Sequence, residues 1–177
     1  MKPINIYPGI KIHFDIVQIG CGGNGAYLTQ RLSKLMSSLL RLNDKNSFSY
    51  TLVDQDLVEE KNLQRQPFLP HDIGKNKAAV LSKRYGKAYE IPVFYREQFV
   101  ESVEELKSCF PSLHETFVQD PTKNLIRILI GCVDNHATRK IMHSYFESDS
   151  KIIYIDCGVD GVLTEGDEED IRRSGYS

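Results

Sequence analysis

A glycine-rich turn at residues 20–25 is the clearest chemical signal in the sequence. Gly20, Gly22 and Gly25 have the spacing G-x-G-x-x-G that is typical of phosphate-binding turns. The first glycine permits a tight turn, the second leaves bare backbone for a phosphate, and the third lets a helix pack closely on a strand. Unpaired N–H groups at the start of that helix favour an anion. The alternative is a glycine turn that binds no ligand. The residues that follow in the sequence distinguish between these two interpretations.

Acidic side chains follow two later apolar segments that are predicted to be strands. Asp54 and Asp56 come after the second strand, and Asp134 comes after a later one. In Rossmann-like units the carboxylate after the second strand accepts hydrogen bonds from ribose hydroxyls. The alternative for Asp54 is a solvated carboxylate at a strand end. Asp134 and Asn135 could equally serve as a helix N-cap, alone or together with metal binding.

Two cations downstream of the ribose carboxylate favour ATP over a dinucleotide. Arg65 and Lys77 have no use in a dinucleotide dehydrogenase. An enzyme that cleaves ATP between the α- and β-phosphates needs such groups to hold the triphosphate and to neutralise the departing pyrophosphate. Taken alone, Lys75 and Lys77 would be ordinary surface lysines. Together with the glycine turn, this set predicts a nucleoside triphosphate site.

The elements that must position these residues alternate between strands and helices. Strands are predicted at residues 14–19, 49–53, 90–95, 126–130 and 151–155. Helices are predicted after the glycine turn, at 75–85, more weakly at 97–117, and at 138–146. The first helix repeats apolar residues at helical spacing, namely Leu28, Leu32, Leu35, Met36, Leu39 and Leu40. The fold class is therefore α/β, a Rossmann-like, mostly parallel sheet with helices on both faces.

The 177 residues fit one main domain, because a single core of this size is common. We expect an N-terminal arm at residues 1–13, a nucleotide-binding domain at 14–162 and a mobile acidic tail at 163–177 that marks a truncation point. The connection at 57–73 is long and irregular, and such loops tend to be functional. The net charge of −2 does not favour nucleic-acid binding. With no membrane-spanning segment or signal peptide in the sequence, we expect a cytoplasmic location.

The cysteines predict neither a metal site nor a disulfide. Cys21, Cys109, Cys132 and Cys157 form no C-x-x-C pair, which disfavours zinc. Cys132 and Cys157 lie at the ends of apolar strands and are interpreted as small core residues. A catalytic thiol at Cys157 is the alternative. No disulfide is expected in a reducing compartment.

These residues resemble the ThiF family, the bacterial relatives of ubiquitin-activating enzymes. The resemblance covers residues 14–158 and rests on ordered motifs: GCGGNG at 20–25, DQD at 54–56, NLQRQ at 62–66, DIGKNKA at 72–78 and CVDNHATR at 132–139. Members of the family adenylate the C-terminal carboxylate of a small ubiquitin-like or sulfur-carrier protein. The resemblance therefore implies a carrier-protein partner, a homodimer, and ATP and Mg²⁺ as cofactors.

The resemblance also implies a role for each matched residue. The turn that binds the nucleotide would contain Gly20, Gly22, Gly23 and Gly25. The ribose would contact Asp54, with Asp56 nearby, and the phosphates would contact Asn62, Arg65, Gln66 and Lys77. Mg²⁺ would bind Asp134, and Asn135 would support that site. Arg65, Lys77 and Asp134 would be catalytic because they would stabilise developing charge. Arg139 would brace the loop that precedes its helix.

The chain also departs from the family pattern. Typical members continue with a crossover loop, further strands, often a catalytic cysteine and often paired zinc-binding cysteines, none of which has a counterpart here. The first arginine is Arg31, whereas the family often carries one near its N-terminus. Two alternatives therefore stay open. The glycine turn and Asp54 alone would fit an NAD-dependent oxidoreductase, and the short chain would fit a non-catalytic nucleotide-binding module or fragment.

Overall fold

A computed structural model describes residues 11–42, 46–113 and 123–157 of the chain. Its strands are β1 (Ile12–Ile19), β2 (Ser47–Val53), β3 (Val93–Arg96), β4 (Asn124–Gly131) and β5 (Ile152–Asp156). Its α-helices are α1 (Gly23–Leu42), α2 (Lys77–Tyr89), α3 (Val103–Ser108) and α4 (His136–Ser148). The predicted tail and nearly all of the predicted N-terminal arm lie outside these residues.

The strands form one sheet in the order β3-β2-β1-β4-β5, and every pairing within it is parallel. The central strand β1 pairs with β2 on one side and with β4 on the other. The chain therefore proceeds outward in one direction from β1 and then returns to build the other half. A crevice opens at such a reversal, beyond the carboxyl ends of the strands, and ligands bind there in open α/β sheets.

Helices cover both faces of the sheet, as the strand–helix alternation predicts. Successive residues of β1 point to opposite faces, so that Ile16 joins one apolar cluster and Val17 joins the other. The first cluster includes Met36 of α1 and Leu81 of α2. The second cluster contains Phe110 and residues of α3 and α4. Burial of each large apolar side chain contributes about 1.5–3 kcal/mol to the stability of the fold. This packing holds the strands that carry the site in place.

The buried face of α1 matches the predicted apolar face in part. Of the apolar residues at helical spacing, Met36 is fully buried and Leu28, Leu32 and Leu40 pack against the first cluster, whereas Leu35 and Leu39 are 53% and 37% exposed. The helix also buries small residues, including Ala26 and Ser33. The glycine turn brings the start of α1 close to the sheet, and small side chains are what that close approach admits.

Several predicted boundaries were wrong. Helix α2 ends at Tyr89, followed by Glu90 in the left-handed conformation, and β3 begins only at Val93. The weak helix predicted at 97–117 reduces, within the described residues, to α3 with Ser102 as its N-cap and a short 3₁₀ turn at Pro111–Leu113. Within the described ranges, no helix is long and apolar enough to cross a membrane.

Candidate functional site

An open cavity of about 510 Å³ lies beyond the carboxyl ends of the strands. This volume is typical of small-molecule sites. The predicted site residues that border it are Gly20, Gly22, Gly23, Asp54, Asp56, Arg65, Gln66, Lys77, Asp134 and Asn135. Gly25 and Asn62 are the two predicted site residues that do not line it. Segments distant in sequence therefore meet at one edge of the sheet.

The glycine turn has the tight geometry that its spacing predicts. Gly20 adopts a φ of 95°, and a Cβ there would lie 2.6 Å from the carbonyl oxygen of Cys132. A Cβ at Gly25 would collide with the Gly20 carbonyl, so this glycine serves close packing rather than cavity lining. By contrast, a Cβ at Gly22 or Gly23 would meet nothing within 4 Å. The turn therefore presents bare backbone to the cavity.

A buried amide side chain, which the sequence analysis missed, supports this turn from within the sheet. Gln18 Nε2 donates to the carbonyl oxygens of Gly20 at 2.9 Å and Gly25 at 3.0 Å. Tyr50 donates to Gln18 Oε1 at 2.5 Å, and Thr29 donates to the Gly25 carbonyl at 2.8 Å. Burial raises the pKa of Tyr50 well above its usual value, which keeps it protonated as a donor. The sequence signal for Gln18 was that it is a polar residue inside a largely apolar strand.

Asp54 joins the end of β2 to the glycine turn. Its Oδ2 accepts from the Cys21 backbone N–H at 2.6 Å, and its Oδ1 accepts from the Asp56 backbone N–H at 2.8 Å. Burial raises the pKa of Asp54 despite these two hydrogen bonds. Each carboxylate oxygen can accept a further hydrogen bond, so this brace is compatible with a ligand hydroxyl at the cavity.

Lys77 supplies a largely buried cation at the cavity. Its side chain is 8% exposed, and Nζ lies 2.9 Å from Asp56 Oδ2, whose side chain is 57% exposed. Lys77 is the first residue of α2, and the N-cap of that helix is Asn76. Asn76 also donates through Nδ2 to the Asp54 carbonyl at 2.8 Å. The start of α2 is thus fixed to the end of β2, and Lys77 is fixed with it.

The loop between β2 and α2 is braced by Asn62 and by an ion pair. Asn62 is buried, and its carbonyl accepts from the backbone N–H groups of Arg65 at 3.1 Å and Gln66 at 2.9 Å. Asn62 therefore supports the two residues that border the cavity without bordering it itself. Arg84 pairs with the buried Asp72 and donates to the Pro67 carbonyl at 2.6 Å.

Two polar residues of this loop, Arg65 and Gln66, border the cavity. The Oε1 atom of Gln66 is buried and accepts no hydrogen bond within the described residues. Arg65 is exposed, and it borders the same cavity. A buried polar atom without a partner is costly unless something else satisfies it. The loop is therefore suited to a polar ligand.

Asn135, and not Asp134, is the N-cap of α4. Asn135 Oδ1 accepts from the Thr138 backbone N–H at 2.8 Å. Asp134 is exposed at the cavity, and none of the described residues donates a hydrogen bond to its carboxylate. Arg139, which was expected to brace this loop, reaches β5, where its Nε lies 2.9 Å from Asp156 Oδ2.

The sequence profile of the ThiF family matches residues 13–165, which is most of the chain. The chain belongs to the ThiF family. A comparison with curated proteins finds no match. The fold of this ThiF-family chain is also similar to solved structures that have low sequence identity to it.

One similar structure is the E. coli tRNA N6-threonylcarbamoyladenosine dehydratase TcdA in complex with ATP. It is 19% identical with a TM-score of 0.59, and the match covers 89% of this chain and 54% of that one. Another is E. coli MccB with AMPCPP and MccA, which is 23% identical with a TM-score of 0.55. That match covers 84% of this chain and 38% of MccB. The chain therefore spans about half or less of the length of these proteins.

Two cysteines of this ThiF-family chain pack against the core and also border the cavity. Cys132 and Cys157 are half-buried and pack against the first apolar cluster, as the sequence predicts, and both also line the cavity. They directly follow β4 and β5, which end at the cavity. Cys21 is buried behind the glycine turn, where burial raises its pKa well above the usual value. Within the described residues, no three histidine, cysteine or acidic side chains form a metal-binding group.

Proposed function

We propose that this chain binds MgATP and adenylates the C-terminal carboxylate of a small ubiquitin-like or sulfur-carrier protein. The observation that carries the proposal is Lys77, a cation that is 8% exposed and held beside a bare glycine turn. A buried ammonium with one exposed carboxylate partner attracts phosphate oxygens more strongly than a surface lysine would. In an NAD-dependent oxidoreductase the Lys77 ammonium group would have no evident role.

The cavity offers a place for each part of ATP. The triphosphate would lie along Gly22 and Gly23, where backbone N–H groups at the start of α1 favour an anion. Asp54 would accept from a ribose hydroxyl. Arg65 and Lys77 would hold the β- and γ-phosphates, and Arg65 has the exposure that such a contact needs.

The residues present fit a magnesium ion through Asp134. Its exposed carboxylate takes no hydrogen bond from the described residues, and carboxylate oxygen is a ligand that Mg²⁺ prefers. Mg²⁺ is usually held by one or two carboxylates together with substrate phosphates, so a single aspartate suffices. When bound, the ion supplies positive charge against the triphosphate. Asn135 would support the site by fixing the start of α4.

The reaction would need charge stabilisation more than proton transfer. A carrier carboxylate, already ionised at neutral pH, would attack the α-phosphorus, and the bond to the departing pyrophosphate would break. Arg65 and Lys77 would stabilise the negative charge that grows on pyrophosphate. The braces at Gln18 and Asn62 would keep the turn and the loop in position. No general base is required.

ThiF-family membership supports this proposal, as do the nucleotides in the similar structures. TcdA was crystallised with ATP, and MccB with AMPCPP together with MccA. Because this chain spans 54% and 38% of those proteins, their activities are carried over here only as proposals. We also propose that residues 14–162 act as one nucleotide-binding domain.

A homodimer is part of the same proposal. Helix α1 exposes a stripe of large apolar side chains at helical spacing: Tyr27, Leu35, Leu39 and Leu42 are 37–83% exposed. Contiguous exposed apolar surface often marks a protein–protein contact. Light scattering should give the mass of a dimer, and Leu35→Glu should shift the mass toward the monomer. A monomer at high concentration would contradict this part.

Two measurements separate the three candidate functions. Calorimetric titration should show binding of MgATP and no binding of NAD, and tighter binding of NAD would overturn the proposal in favour of the oxidoreductase. Pyrophosphate release should then depend on a carrier protein that ends in Gly-Gly. Binding of MgATP without any release would instead identify a non-catalytic nucleotide-binding module.

A further inference from the structure

Cys132 and Cys157 lie opposite each other on neighbouring strands. The parallel register of β4 and β5 pairs Gly131 with Asp156, so the next residue of each strand is a cysteine. The Cys157 backbone N–H donates to the Gly131 carbonyl at 2.8 Å, which holds this register past the strand ends. Neighbouring strands lie about 4.8 Å apart. That spacing falls inside the range of about 4.4–6.8 Å between the Cα atoms of disulfide-bonded cysteines.

The two side chains also lie on the same face of the sheet, because both pack against the first apolar cluster. Burial raises the pKa of Cys132 to about 12, and the neighbouring Cys157 adds to the rise. Both residues are half-buried and border the cavity, so a small oxidant can reach them.

We propose that Cys132 and Cys157 form a modification site: peroxide converts the pair to a disulfide, and the disulfide weakens nucleotide binding. The first part rests on the geometry of β4 and β5 alone. The second part rests on the proposed function. The remaining cysteines, Cys21 and Cys109, are buried and do not line the cavity, so the site is confined to this pair.

The chemistry balances with hydrogen peroxide as the oxidant. The Cys157 sulfur loses its proton to solvent and attacks one peroxide oxygen. The O–O bond breaks, giving a sulfenic acid and hydroxide, which takes up a proton. The Cys132 sulfur then attacks the sulfenic sulfur, an S–S bond forms, the S–O bond breaks, and water leaves. Two thiols and one peroxide thus give one disulfide and two waters, and a small dithiol reverses the change.

The glycine turn explains why the disulfide would matter to a nucleotide. A Cβ on Gly20 would lie 2.6 Å from the Cys132 carbonyl oxygen, so the turn packs tightly on the end of β4. Asn24 Nδ2 lies 3.5 Å from the Cys157 carbonyl oxygen. A disulfide holds the two Cβ atoms about 3.8 Å apart, so side chains that are not already at this separation must move, and a shift of Cys132 is passed to the turn that packs on its carbonyl oxygen. Losing one charge-assisted phosphate contact weakens binding about tenfold.

The test treats the full chain with hydrogen peroxide and maps its disulfides by mass spectrometry of proteolytic peptides. The proposal predicts a Cys132–Cys157 peptide pair that a dithiol removes. Cys157→Ser should abolish it, Cys132→Ser should leave Cys157 as a sulfenic acid, and Cys109→Ser should leave the pair intact. Failure to find the linked peptides, or a linkage that involves Cys21 or Cys109 instead, would overturn the site.

Nucleotide affinity is measured on the same samples. MgATP should bind the oxidised protein about tenfold more weakly than the reduced protein, and reduction should restore the affinity. Affinities within twofold of each other would overturn the functional part. If the reduced protein does not bind MgATP, the proposed function fails together with this part. The peptide map still decides the disulfide itself, so the two failures are distinguishable.

Discussion

The two ends of the sheet both carry aspartates, but only the carboxyl-terminal end has one, Asp134, whose carboxylate accepts no hydrogen bond from the described residues. At the amino-terminal edge Asp15 is fully buried, and both of its oxygens are satisfied. Ser49 donates to Oδ1 at 2.6 Å, and the Ser112 backbone N–H donates to Oδ2 at 2.9 Å. Nearby, His13 and Ser47 share a hydrogen bond of 2.7 Å. These groups hold one another in place.

At the carboxyl-terminal edge the corresponding groups face an open cavity. Asp134 is exposed and accepts nothing from the described residues, and the buried Gln66 Oε1 likewise has no partner there. Lys77 is buried but paired with one exposed carboxylate. Aspartates alone therefore do not mark a site. The edge that leaves charged and polar groups available beside bare backbone is the one that is suited to a ligand.

The largest expected effect follows removal of the buried cation. Lys77→Met should lower MgATP affinity about ten- to a hundredfold, because hydrogen bonds to charged groups contribute about 1.5–3 kcal/mol each. Lys75→Met is the matched control, since Lys75 is exposed and does not border the cavity. Calorimetry should show the control within twofold of the wild type. Equal losses in both variants would contradict the role given to Lys77.

A second pair of variants compares buried polar groups at the two edges. Gln18→Leu leaves the Gly20 carbonyl and Tyr50 without their partner, and Asp15→Leu leaves Ser49 and the Ser112 N–H without theirs. Each should lower the free energy of unfolding by about 1–3 kcal/mol for each buried group left unpaired. Only Gln18→Leu should also weaken MgATP binding, by severalfold, because it releases the glycine turn. Denaturant unfolding and calorimetry measure the two quantities separately. A similar loss of affinity in Asp15→Leu would remove the distinction between the edges.

The sequence predicted the fold and about half of the residues that line the cavity, for physical reasons that also explain its errors. Strand–helix alternation and glycine spacing are local signals, so the parallel sheet and the turn could be inferred. The role of Gln18 depends on which carbonyl and hydroxyl groups the fold brings beside it, which no local pattern encodes. The Cys132–Cys157 contact depends on the register of β4 and β5, and register is a property of the assembled sheet.

A smaller effect on MgATP affinity is expected from substitutions at the start of α4, where Asp134 is the proposed metal ligand and Asn135 is the N-cap. Asp134→Asn should lower MgATP affinity severalfold and leave metal-free ATP affinity nearly unchanged, because the amide removes the charge that Mg²⁺ prefers. Asn135→Ala should instead cost about 1 kcal/mol of stability through loss of the N-cap. The ratio of MgATP to metal-free ATP affinity separates the two roles. An unchanged ratio in Asp134→Asn would exclude Asp134 as the metal ligand.

The central claim is that nucleotide binds at the carboxyl-terminal edge of the sheet and not elsewhere. The direct test is a titration of ¹⁵N-labelled protein with MgATP, followed by the backbone amide signals in NMR spectra. The amides of Gly22, Gly23 and Asp134 should shift most, whereas those of Asp15 and Ser49 should stay in place. Saturating MgATP that leaves the glycine-turn amides unmoved, or that moves the amino-terminal edge instead, would contradict the account.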